Sequence, residues 1–145
     1  MTSFKVVVFR LGDRFAALEE KYSEEFFVLN HITRVPVAPP YMGNICNWQG
    51  NIIPVIDISP FFGEKARSVV TKLVAIAVNT SGKDNLFSLV TDGVEGVYEL
   101  TDKTEEKNDL PFFSSNLLEF RGGDIYMISP FIIEKFITNH LKKII

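Results

Sequence analysis

The sequence predicts a mainly β protein, and three observations support that fold class. Short runs of β-branched and aromatic residues recur along the chain, separated by about 8–12 residues. Turn residues, glycine above all, punctuate these runs. Only two stretches space their apolar residues as a helix would. This combination is typical of an all-β barrel or sandwich, and 145 residues suit a single domain.

The chain opens with a predicted hairpin followed by a predicted helix. Residues 4–11 are rich in valine and phenylalanine and end at a Gly-Asp turn. Residues 14–18 are the candidate return arm. Apolar residues at helical spacing within 22–29 predict a short helix with one buried face. Ser23, followed by two glutamates, is an alternative N-cap for that helix.

Prolines and glycines divide the next part of the chain. Three prolines within residues 35–40 predict an ordered, extended loop. Residues 47–51 form a predicted turn, and residues 52–58 a predicted strand. Because Pro54 lacks an N–H group, we expect that strand at a sheet edge or at a position where no donor is needed.

The centre of the chain contains the clearest hairpin of the sequence. Residues 69–78 are almost continuously apolar, which predicts a buried strand. Residues 81–85 turn the chain back into a partner strand at 86–91. A further short strand is predicted at 94–100, and a charged surface loop at 101–109.

The end of the chain combines a second hairpin with a helix. Residues 117–121 and 124–128 are predicted strands joined by a Gly122-Gly123 turn. Residues 130–145 space their apolar side chains as a helix, with proline in the first turn and lysines near the end.

Composition excludes several classes of protein. One cysteine, Cys46, allows no internal disulfide, and with two histidines it allows no Cys/His metal cluster. A net charge of −3 without a basic block argues against nucleic acid as a partner. No apolar run has the length of a signal peptide core or a membrane span, so we expect a cytoplasmic protein without membrane insertion.

Catalytic and cofactor motifs are not evident in the sequence. His31 and His140 are far apart and are best interpreted as surface or cap residues. The glycines do not match phosphate-binding or dinucleotide-binding spacings, so no cofactor is expected. Asp57 and Asp92 each end an apolar run. They are best interpreted as strand-end residues, although a general acid/base pair is the alternative.

Five stretches taken together resemble the CheW family of bacterial chemotaxis adaptors. They occur in the family's order and cover nearly the whole chain, and the most specific is GNIIPVIDI after ITRVP. The stretches are FKVVVFRLGDRFAAL, HITRVPVAPPYM, GNIIPVIDISPFFG, LVTDGVEGV and DIYMISPFIIEKF.

The resemblance implies a fold and an activity. The expected fold is two SH3-like five-stranded β-barrels packed around a shared core, with a short helix in the first half and a C-terminal helix. Residues 8–76 would supply one barrel, and residues 1–7 with 77–145 the other. The family is non-catalytic. It couples the regulatory domain of a CheA-type histidine kinase to the cytoplasmic tips of chemoreceptors, and a helical tip suits an apolar groove.

The chain departs from the family pattern at its partner-binding positions. The family's usual NLRG turn is replaced by Asn47-Trp48-Gln49-Gly50, and glutamine cannot form a bidentate pair with a carboxylate. Asn44 stands where the family usually has glycine. The partner-binding residues implied by the resemblance are Val7, Glu20, Ser23, Phe26, Asn44, Trp48, Gln49 and Val94.

Three of the groove positions, Val7, Phe26 and Val94, keep the family's apolar character, whereas Glu20 and Ser23 do not. The sequence therefore predicts a diverged adaptor with altered partner contacts. The alternatives are an adaptor in another kinase pathway, such as motility, pili or biofilm signalling, and an enzyme that uses Asp57 and Asp92. Trp48 is either a partner contact or a cap on the barrel core.

Overall fold

The computed structural model describes residues 2–36, 38–67, 69–80, 85–103 and 110–144. Within these ranges the chain consists of strands, three 3-10 turns and one helix. The 3-10 turns are Glu20–Tyr22, Pro40–Met42 and Ser59–Phe62. The longer elements are β1 Ser3–Leu11, β2 Arg14–Glu19, β3 Ser23–Val28, β4 Ile32–Arg34, β5 Asn44–Trp48, β6 Asn51–Ile56, β7 Val74–Asn79, β8 Leu86–Thr91, β9 Val94–Thr101, β10 Ser114–Phe120, β11 Gly123–Ile128 and α1 Pro130–Ile144.

The strands form two sheets of similar design. A five-stranded sheet has the order β10-β11-β2-β1-β9, and a six-stranded sheet the order β3-β7-β8-β6-β5-β4. Each sheet is antiparallel except for one short parallel pair. In the first sheet β11 runs parallel to β2, and in the second β6 runs parallel to β8.

Strand alternation distributes the apolar side chains among three cores. Val6 and Val8 of β1 pack inside the five-stranded sheet, whereas Val7 and Phe9 pack in a shared core between the sheets and α1. The six-stranded sheet encloses its own cluster, which includes Val55. Since β1 is buried on both faces, its sequence is a continuous apolar run rather than an alternation of apolar and polar residues.

The mainly β fold class and the C-terminal helix are confirmed. The short helix predicted in the first half is reduced to the 3-10 turn Glu20–Tyr22. The prediction of a helix through residues 22–29 is wrong, because Ser23–Val28 pairs with β7. Phe26, Phe27 and Val28 fit a strand well, and the pairing outweighs the helical spacing.

Two other boundaries also differ from the prediction. The strand predicted from residue 69 begins at Val74, because Lys72 adopts a left-handed conformation and Leu73 N–H donates to Val70 O at 3.1 Å. The last hairpin turns at Arg121-Gly122, both with positive φ, so Gly123 already belongs to β11.

Pro54 lies in an interior strand, between β5 and β8. The prediction of an edge strand is therefore wrong. The alternative prediction, that Pro54 occupies a position where no N–H donor is needed, agrees with the structure. Pairing with β8 begins only at Val55, and Pro54 O accepts a hydrogen bond from the Ser88 hydroxyl at 3.0 Å. Cys46 is buried, as predicted for a small hydrophobic side chain.

Three predicted features lie wholly or partly outside the described residues. They are residues 81–84 of the turn predicted at 81–85, residues 104–109 of the charged loop predicted at 101–109, and the side chain of His140. In the five-stranded sheet a single antiparallel bridge, Asp102 to Leu118, joins the two edges. The division of the chain into barrels at residues 8 and 76 stays a prediction. In the described part of the chain, no helix is long and apolar enough to cross a membrane.

Candidate partner-binding surface

Two edge strands present apolar side chains to solvent on the faces that carry the shared core. On β3, Phe26 is 44% exposed and Val28 50% exposed, and on β9, Val97 is 47% exposed. Phe26 lies opposite Ile76 and Val97 opposite Val7, and both partners belong to the shared core. Directly paired residues lie on the same face of a sheet, so these side chains extend the apolar surface of the shared core to the sheet edges. We call Phe26, Val28 and Val97 the edge surface.

The other residues implied for a receptor groove lie on β1, β3, β9 and the 3-10 turn before β3. Val7 is fully buried in the shared core, so it supports the surface from within. Glu20 forms an ion pair with Lys5 of β1, at 3.6 Å between Nζ and Oε2. Ser23 opens β3, and Val94 opens β9 and packs against the shared core.

The other three predicted residues lie on a different part of the six-stranded sheet. Asn44 opens β5, opposite Arg34 of β4. Trp48 ends β5, and Gln49 is the first turn residue, with φ of 49°. Gln49 and Gly50 both have positive φ, as a type I′ two-residue hairpin turn requires.

Trp48 and Gln49 meet on one carboxylate that the sequence did not single out. Trp48 Nε1 donates to Glu25 Oε1 and Gln49 Nε2 donates to Glu25 Oε2, each at 3.2 Å. The indole also packs against Phe27, with ring centroids 6.4 Å apart. These contacts connect the β5–β6 turn to β3, although no backbone ladder joins β5 to β3. Trp48 therefore caps the core of this sheet.

Asp57 and Asp92 meet through Arg67. Arg67 Nη1 donates to Asp57 Oδ1 at 2.7 Å, and Nε donates to Asp92 Oδ1 at 3.1 Å. Arg67 Nη2 also contacts Asp92 Oδ2. The backbone N–H of Arg67 donates to Asp57 Oδ2 at 2.9 Å, and that of Gly12 donates to Asp92 at 2.5 Å. The group fixes one loop onto turns of both sheets.

The charge balance of this group favours the ionised form of the Asp92 carboxyl. Burial alone would raise the pKa of Asp92. Hydrogen bonds from Arg67 and the Gly12 N–H, with the charges of Arg67 and Arg10, outweigh that effect and lower the pKa below its ordinary value. A carboxylate held ionised by an arginine is a poor proton donor.

A general acid/base pair needs both groups in one cleft. The nearby surface cavity, of about 510 Å³, is lined by Asp92 and Arg67 but not by Asp57, which is 3% exposed.

Among the residues that the structure describes, no group of three or more His, Cys, Asp or Glu side chains is placed to hold a metal ion.

Sequence reasoning missed Glu25 and Arg67. The sequence predicts Glu25 within or at the start of a helix, because local spacing does not reveal the strand β3. Arg67 lies in an irregular loop, where no periodicity predicts its contacts. The sequence offered one signal for Arg67. Asp57 and Asp92 end strands in the two halves of the chain, and buried carboxylates need a cation nearby.

Comparison with known proteins identifies relatives over most of the chain. The CheW-like domain family matches residues 5–122. The chain is 26% identical over 111 residues to "Chemotaxis protein CheW" of Klebsiella aerogenes, covering 77% of this chain and 64% of that protein. It is 25% identical over 99 residues to "Chemotaxis protein CheW" of Rhizobium meliloti, covering 68% and 63%. The matches thus span just under two thirds of these two relatives.

A solved structure gives the same result for the fold. The scaffolding protein TtCheW from Thermoanaerobacter tengcongensis superposes with a TM-score of 0.71 at 25% sequence identity, covering 88% of this chain and 90% of that one. The fold, the order of the motifs and the family match over residues 5–122 agree, and the chain belongs to the CheW-like domain family.

Proposed function

We propose that this chain is a non-catalytic adaptor of bacterial chemotaxis. It would couple a CheA-type histidine kinase to the cytoplasmic tips of chemoreceptors, and would work in the cytoplasm. Relatives with aligned sequences carry the name chemotaxis protein CheW, and a structural relative is described as a scaffolding protein.

The observation that carries the proposal is the edge surface. Phe26, Val28 and Val97 are roughly half exposed, yet they extend a core that is otherwise buried. Exposed apolar patches of this kind mark sites of protein contact. A helical receptor tip could bury an apolar face against them. Val7, Glu20, Ser23 and Val94 would belong to the same contact.

Asn44, Trp48 and Gln49 would form a second contact on the six-stranded sheet. Trp48 and Gln49 contact Glu25, which alternates with Phe26 along β3 and therefore faces the other side of the sheet. Contacts on opposite sides of β3 would leave room for two partners at once, which an adaptor requires. The shared Arg67 favours a structural role for Asp57 and Asp92, in agreement with a function that needs no chemistry.

A charged substitution on the edge surface tests the receptor contact. We expect Val97→Glu to weaken binding of a receptor cytoplasmic tip by about tenfold or more, because it places a charge in an apolar contact. Isothermal titration calorimetry with the purified tip measures the change. Val69→Glu is the matched control, since Val69 is 70% exposed and lies outside the edge surface.

Two results would contradict the proposal. The first is wild-type protein that binds neither a kinase regulatory domain nor a receptor tip. The second is a Val97→Glu variant that binds the tip as tightly as the Val69→Glu control.

A further inference from the structure

A cavity of about 340 Å³ opens where five strands of the six-stranded sheet end on one side. Each strand contributes one lining residue, and none of them takes part in the edge surface. The residues are Glu24 of β3, Trp48 of β5, Asn51 of β6, Asn79 of β7 and Leu86 of β8. The volume is that of a pocket for a side chain or small ligand.

One hydrogen-bond acceptor beside this cavity has no donor. Glu24 accepts a hydrogen bond from Asn79 Nδ2 at 3.1 Å. The other amide atom, Asn79 Oδ1, is buried and has no hydrogen-bond partner. A buried acceptor without a donor is unfavourable, and its partial negative charge adds to that of the nearby Glu24 carboxylate.

The negative charge at the cavity is also unbalanced. Glu24 and the neighbouring Glu25 receive only neutral donors, from Asn79, Trp48 and Gln49. Neither forms an ion pair with any lysine or arginine that the structure describes. Two adjacent carboxylates in this state attract a cation.

The remaining walls suit an extended organic cation rather than a bare ion. Trp48 contributes an indole, the aromatic ring that attracts cations most strongly. Leu86 contributes an apolar contact of the kind that packs against the methylene groups of lysine or arginine. The cavity therefore combines carboxylate, amide oxygen, indole and aliphatic surface.

We propose that this cavity receives the arginine or lysine side chain of a partner polypeptide. Guanidinium supplies five donors and no acceptor, which complements a site rich in acceptors. A free amino acid fits less well, because Glu24 and Glu25 would repel its own carboxylate. The inference holds whichever protein is the partner.

The only tryptophan of the chain reports directly on this cavity. N-acetyl-arginine amide, whose blocked ends mimic a polypeptide, is titrated while Trp48 fluorescence is followed. We expect a saturable change, with affinity about tenfold or more lower for N-acetyl-citrulline amide, which lacks the charge. Free arginine should also bind more weakly than the blocked form.

Isosteric variants make the test specific. Glu24→Gln keeps an oxygen for Asn79 but removes the charge, so affinity should fall by about tenfold. Glu99→Gln, an exposed glutamate of the other sheet, should leave affinity unchanged. Thermal unfolding of both variants verifies that they remain folded.

The proposal is overturned if no saturable change occurs, if citrulline binds as well as arginine, or if Glu24→Gln binds like wild type. Free arginine that binds as tightly as the blocked form would overturn the assignment to a polypeptide side chain.

Discussion

Arg67 joins two carboxylates that come from opposite halves of the chain. Its side chain is 15% exposed and that of Asp57 is 5% exposed, so the pair lies out of bulk water. Breaking a buried pair by removing one partner leaves an uncompensated charge, which is far more costly than losing a surface ion pair. Loss of Arg67 should therefore destabilise the fold far more than loss of an exposed arginine.

Replacement of Arg67 by methionine tests this interpretation. We expect the free energy of unfolding to fall by about 3 kcal/mol, because Asp57 is left buried without a cation. Urea denaturation followed by circular dichroism measures it. Arg14→Met, at an exposed arginine, should change stability by no more than about 0.5 kcal/mol. Equal effects of the two substitutions would show that the buried pair contributes nothing.

Individual residues were predicted unevenly from the sequence. Asp57 and Asp92 were correctly placed at strand ends, because each closes an apolar run. Their meeting at Arg67 could not be predicted, since it depends on a loop that connects two sheets. The contact of Trp48 and Gln49 with Glu25 could not be predicted for a similar reason, because only the folded sheet brings β3 and β5 together.

Helix α1 packs on the shared core through a few side chains. Ile133 is 1% exposed and Ile137 8% exposed, and Phe136 adds ring contacts to Phe113 and Phe61. This aromatic cluster accounts for part of the unusual phenylalanine content, which amounts to 13 residues. The helix is therefore an integral part of the core rather than an appended tail.

Shortening a buried side chain of α1 tests its contribution. We expect Ile133→Ala to lower the free energy of unfolding by about 2–4 kcal/mol, through lost burial and the cavity left behind. Lys135→Ala, on the exposed side of the same helix, should cost no more than about 0.5 kcal/mol. Chemical denaturation of both variants gives the comparison. A stability loss at Ile133 no larger than at Lys135 would contradict the packing described.

Strands were predictable where both faces are buried or where a glycine turn lies at one end, as in β1 and β11. The segment Ser23–Val28 was not, because an edge strand with an acidic start can match helical spacing over one or two turns. Its pairing with β7, which carries a register shift between Ser23 and Glu25, is a long-range interaction. The local sequence pattern cannot predict such a pairing.

The two sheets share one plan, which the folded chain makes clear. Each contains a hairpin with two left-handed turn residues, Gln49-Gly50 or Arg121-Gly122, and its second strand then pairs in parallel with another strand. After that strand each half reads Ile-Ser-Pro-Phe and enters a helical turn or helix, at Ser59–Phe62 and Pro130–Ile144. The shared core lies between these two units.

This arrangement suits an adaptor, because the surfaces proposed for partners consist of different residues. The edge surface belongs to β3 and β9, whereas Trp48, Gln49 and the cavity beside them lie at strand ends of the six-stranded sheet. Two partners could therefore bind at once without competing for the same residues. Bridging is the central claim, and it requires both contacts in one molecule.

The most direct measurement is co-elution of a kinase regulatory domain with a receptor cytoplasmic tip in size-exclusion chromatography. We expect the two to elute together only when this chain is present, with all three components in the peak. Val97→Glu should release the receptor tip while leaving the kinase domain bound. A kinase domain and tip that stay in separate peaks with wild-type protein present would contradict the bridging function.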